Sequence, residues 1–79
     1  MDDDAKSLPE LLSIVYGLTR AEARLSVLLY EGRSLTEVAA VNGVSIETVR
    51  AQIKSVFQKT GAHRQAELIR LLNELAKTQ

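Results

Sequence analysis

The 79 residues make one small domain, too short for a barrel enzyme or a doubly wound sheet. At 46% hydrophobic and 25% charged, with no net charge, the composition is that of a soluble globule rather than a disordered chain. The absence of cysteine excludes a disulfide framework and a thiolate metal site, and a single histidine, His63, argues against a protein-only zinc site or a Ser-His-Asp relay. The expectation is therefore no metal, no cofactor and no enzyme. Apolar runs of only a few residues and the acidic start Asp2, Asp3, Asp4 indicate neither a membrane span nor a secretory signal, hence a cytoplasmic protein. Tyr16, Tyr30 and Phe57 are the only aromatics, so the core must be aliphatic, which favours an all-α fold.

Residues 1–6 read as a flexible acidic tail, and 7–79 as the folded domain. Ser7 opens Ser-Leu-Pro-Glu, a capping box with Pro9 in the first turn, where a missing N–H costs nothing. Leu8, Leu11, Leu12 and Val15 line one side, and Gly17 stops the helix. Thr19 opens a second box with Glu22, and Ala21, Leu25, Leu28 and Leu29 form its inward stripe up to Gly32. A third box, Ser34 with Glu37, starts a short helix with Leu35, Val38 and Ala39 inward, ending at Gly43. Ser45 caps the most regular helix, about 46–60, in which Ile46, Val49, Ile53, Val56 and Phe57 mark the buried face. Gly61 ends it as a left-handed cap residue. The last helix begins near Arg64 and carries Leu68, Ile69, Leu71, Leu72 and Leu75.

Charge is distributed unevenly along this series. Residues 1–10 hold four carboxylates against Lys6, a net of minus three. Residues 45–64 hold Arg50, Lys54, Lys59 and Arg64 against Glu47, a net of plus three. That basic segment coincides with a helix-turn-helix spacing, with the turn at about 42–45. Ala39 allows close helix approach, Gly43 supplies a sharp turn, and Val49 plugs the second helix onto the first. With the apolar face inward, Glu47, Arg50, Ala51, Lys54 and Gln58 point outward. Arg50 and Lys54 stand one turn apart in the half of a recognition helix that enters a major groove. Either can donate to guanine O6 and N7, and Ala51 lets the backbone approach. Ser45, Thr48 and Gln52 flank the patch and suit phosphate contacts.

The same residues resemble a known family. From Leu18 to Leu75 the chain is similar to the LuxR-type helix-turn-helix domain of quorum-sensing LuxR regulators and NarL/FixJ response regulators. The matching pieces are Leu-Thr-Arg-Ala-Glu at 18–22, Ser-Leu-Thr-Glu-Val-Ala at 34–39 and Gly-Val-Ser-Ile-Glu-Thr-Val at 43–49. Lys-Thr-Gly at 59–61 and Arg-Gln-Ala-Glu-Leu at 64–68 continue the match. The resemblance implies a four-helix bundle of the winged-helix-like superfamily, here with an extra short amino-terminal helix. It implies a bacterial transcription regulator that binds double-stranded DNA, with RNA polymerase as a further partner. In that family the positions of Arg50, Ala51 and Lys54 face bases, and those of Ser45, Thr48 and Lys59 lie on or near phosphates. Two departures stand out. Many members carry an Arg at the position of Ala21, where Arg20 or Arg24 would have to substitute. Many also carry His at the position of Gln52, which can still donate to a phosphate.

Four further features bear on function. Glu22 has no catalytic partner at useful spacing, so it reads as a capping and ion-pairing residue rather than an acid or base. His63 reads as a solvated loop residue. Arg64 and Gln65, at a helix amino terminus, fit a phosphate clamp. Ile69, Leu71, Leu72 and Ala76 broaden the apolar stripe of the last helix, which points to a homodimer on an inverted-repeat operator. The alternative is a helical protein-interaction module that pairs with another regulator and does not itself bind DNA. Zero net charge and the acidic tail favour that second reading.

Overall fold

Backbone donors at a helix start have no partner within the helix, and short polar side chains supply one. The computed structural model describes residues 6–77 and shows this device three times in succession. Ser7, Thr19 and Ser34 each accept a bond from the amide three residues on, and Glu10, Glu22 and Glu37 accept one back from the cap amides. Each cap contributes about 1 kcal/mol. The resulting helices are α1 (Leu8–Tyr16), α2 (Arg20–Tyr30) and α3 (Leu35–Asn42), followed by α4 (Ile46–Thr60) and α5 (Gln65–Ala76). No strand occurs among the described residues. The acidic tail expected over residues 1–6 falls, apart from Lys6, outside the described residues.

α2 is the central element and packs against each of the other four helices. The core draws on all five: Leu12, Leu25, Leu29, Val38, Val49, Val56, Leu68 and Leu72 are completely buried. Burial of each such side chain contributes about 1.5–3 kcal/mol. The Tyr30 hydroxyl donates to Asn73 Oδ1 at 2.8 Å and ties the end of α2 to α5. No described helix is long and apolar enough to cross a membrane.

Several inward positions differ from the sequence reading. Val15 is exposed, as is its neighbour Ile14, because α1 lies at the margin of the bundle and buries only a narrow stripe around Leu8 and Leu12. On α2 the buried face is rotated by one residue. Ala21 is exposed and Leu28 only half-buried, whereas Glu22, Ala23 and Ser26 are enclosed with Leu25 and Leu29. Polar groups can occupy that seam because each finds a partner there. The Ser26 hydroxyl donates to the Glu22 carbonyl at 2.9 Å, and the Glu22 carboxylate is met from α4. On α5, Leu72 is fully buried in its own chain's core and is therefore unavailable to a partner. Ile69, Leu71 and Ala76 remain half-buried on the flank of that helix.

Candidate nucleic-acid interface

The turn between α3 and α4 is fixed by backbone bonding. Gly43 adopts φ +66°, its amide donates to Ala40 O at 3.3 Å, and the Val44 amide donates to Ala39 O at 3.0 Å. This pair of bonds satisfies the last α3 carbonyls and reverses the chain within a few residues. An L side chain at 43 would meet no atom within 4 Å, so the need for glycine is conformational, worth ~1 kcal/mol. Ala39 is buried where α3 packs on α4, and Val49 is completely enclosed.

With Val49 and Val56 in the core and Ile53 and Phe57 packed against it, the opposite side of α4 faces outward. Arg50, Ala51 and Lys54 are all exposed there, with Glu47 and Gln58 beside them. Neither Arg50 nor Lys54 makes an ion pair or hydrogen bond among the described residues. The patch is two cations, one turn apart, around a residue too small to obstruct close approach. A helix start lies directly beneath. The Ser45 Oγ accepts from the Thr48 amide at 3.1 Å, and the two hydroxyls lie 3.1 Å apart. Both residues are exposed, but Ser45 is already engaged as the cap.

One of the expected phosphate contacts, Lys59, is engaged within the protein. The Lys59 ammonium pairs with Glu22 Oε1 at 2.7 Å. Ser55 donates its hydroxyl to Glu22 Oε2 at 2.5 Å, and the Thr19 amide donates to Oε1 at 2.9 Å. Burial pushes the Glu22 carboxyl up, but bonds from Lys59, Ser55 and the Thr19 amide prevail and hold it at about 2. This cluster locks the second half of α4 to the start of α2. Gln52 is half-buried, and its Oε1 is enclosed without a hydrogen-bond partner. Its carbonyl end is thus turned into the protein.

Arg64 and Gln65 are exposed at the start of α5, where Arg64 makes no side-chain cap. The capping is supplied from within the helix instead: the His63 amide donates to Glu67 Oε1 at 2.6 Å. That bond, foremost, lowers the Glu67 carboxyl below its ordinary value. Arg20 and Arg24 are also exposed. They project roughly 200° around α2 from Glu22, the side chain that meets α4, so both turn away from α4. Neither is placed to take over a contact beside Arg50.

Capping-box spacing marks Glu22 as a capping and pairing residue but does not single out its donor Ser55. The available signal was the spacing of Ser55 and Lys59, four apart on one side of α4, opposite a lone acid on α2. No group of three or more His, Asp or Glu is arranged to hold a metal ion among the described residues. No protein-family model, curated protein or solved structure matches the chain.

Proposed function

We propose that this chain is a sequence-specific, double-stranded DNA-binding domain of LuxR type, from a bacterial transcription regulator. In this reading α2–α5 form the four-helix bundle, α1 is an addition to it, and α4 enters the major groove. The observation that carries the proposal is the pair Arg50 and Lys54, exposed and unpaired, on a helix held by a tight glycine turn. An exposed cation left without a carboxylate among the described residues is available to a base edge or phosphate. Ser45, Thr48, Arg64 and Gln65 flank it as phosphate contacts. Ile69, Leu71 and Ala76 form the surface through which two copies pair on an inverted repeat. The module binds rather than catalyses, because the buried carboxylate of Glu22 is already committed to structural bonds.

Selection from a randomised double-stranded DNA pool at about 100 mM salt tests this reading. The expected result is a short inverted-repeat motif that Arg50→Ala/Lys54→Ala loses while remaining folded. If nothing enriches, even with the domain fused to a constitutive dimeriser, the DNA reading is wrong and the protein-interaction reading replaces it.

A further inference from the structure

On the far side of α2 from α4 lies an open groove of about 600 Å³ between α1 and α2. That volume is within the usual range for a binding site. Residues 17–19 join the two helices into a hairpin, which sets the end of α1 beside the start of α2. Pro9, Ile14, Ala23, Val27 and Leu28 supply the apolar lining. Ile14 is 64% exposed, a large apolar side chain left in water at the groove's edge. At the same end stand Arg20 and Arg24, one turn apart, exposed and with no ion pair or hydrogen bond among the described residues. At the other end Glu10 and Glu31 are accompanied by Lys6.

We propose that this groove docks an amphipathic helix of a partner protein. The helix lays an apolar stripe on Ile14, Val27 and Leu28 and offers two carboxylates, one turn apart, to Arg20 and Arg24. The occupant is identified by charge and spacing. Two guanidiniums at i and i+4 match carboxylates repeated at the same interval on a facing helix, and each fork can take its carboxylate in two bonds. An apolar floor beside that pair is the pattern of helix-in-groove recognition, and a nucleic-acid backbone has no apolar stripe to fill it. A second copy of this chain fits poorly, because none of α1–α5 carries two carboxylates three or four residues apart. Arg20 and Arg24 face away from α4, so the groove is open whether or not α4 holds DNA, and the inference stands without the DNA reading.

The test is a displayed library of helical peptides panned against the full chain. Enriched peptides are expected to carry an apolar stripe with Asp or Glu one turn apart. Their binding should fall at least tenfold on Arg20→Glu/Arg24→Glu and be regained when the peptide's two acids are changed to Lys. Ile14→Asp should weaken it similarly with an unchanged circular dichroism spectrum, since all three side chains are exposed. The proposal is overturned if nothing enriches, if the enriched peptides are neutral or basic, or if they bind the variants as tightly as the original chain. Self-association of the chain abolished by Ile14→Asp would assign the groove to a second copy and would also overturn it.

Discussion

Lys54 and Lys59 lie five residues apart on the same helix, and their surroundings give them opposite roles. Lys54 is exposed and unpaired among the described residues, on the outward face with Arg50. Lys59 is 2.7 Å from Glu22, in a seam that also takes in Ser55 and the Thr19 amide. The net charge of plus three over residues 45–64 therefore overstates what α4 presents to a partner. Of the four cations in that segment, Lys59 is neutralised within the fold by a carboxylate from α2. A basic segment becomes a binding surface only after its internal pairings are subtracted.

The seam should dominate stability. Glu22→Gln removes the charge that Lys59 and Ser55 meet and should destabilise the fold by about 2 kcal/mol, after allowing for the partial exposure of Lys59. For a domain this size that lowers Tm by roughly 8–16 °C. The pH dependence follows from the depressed carboxyl. Glu22 is held at about 2 in the fold against an ordinary value near 4.5. Its contribution is fully present above about 4.5 and is lost as pH falls towards about 2. Thermal melts of the two proteins should thus differ most at neutral pH and converge near pH 2. A constant difference across that window would show that Glu22 acts through packing rather than charge.

The exposed face should dominate recognition. Arg50→Ala is expected to leave Tm unchanged while costing ~1–3 kcal/mol on the selected DNA site, roughly 5- to 150-fold in affinity. Preference at one base position should relax at the same time. An equal loss on selected and random DNA would reassign Arg50 as a phosphate contact, and the comparison with the seam would then rest on Lys54 alone.

How much of this was legible depended on whether the signal was local. The three Ser/Thr-x-x-Glu boxes and the turn at Gly43 depend on residues within a few positions of each other, and all form. The exposure of Arg50, Ala51 and Lys54 followed from the 3.6-residue period of α4. The facing of α2 did not follow from its own period. Its apolar residues point to a stripe through Ala21 and Leu28, but the fold buries Glu22 and Ser26, because α4 brings Ser55 and Lys59 across to the carboxylate. That contact joins positions 33 and 37 residues apart, beyond any periodicity argument. The same limit applies to Leu72. Its place on a broad stripe was visible, whereas its complete enclosure depends on helices far away in the chain.

The smallest effect separates the two lysines most directly. A lysine that neutralises a phosphate releases a counterion, so its removal reduces the slope of log K against log salt by about one. Lys54→Ala should do this if its ammonium reaches a phosphate and should leave the slope intact if it reads only a base edge. Lys59→Ala should leave the slope nearly unchanged and should instead lower Tm, because its charge is spent on Glu22. Fluorescence anisotropy on a short duplex between about 50 and 200 mM salt resolves a change of one in slope. If Lys59→Ala flattens the slope by one while still lowering Tm, its ammonium leaves Glu22 for a phosphate when DNA binds. The seam would then be a store of charge for binding rather than a fixed strut, and Glu22→Gln, by releasing that lysine, should tighten DNA binding even as it weakens the fold.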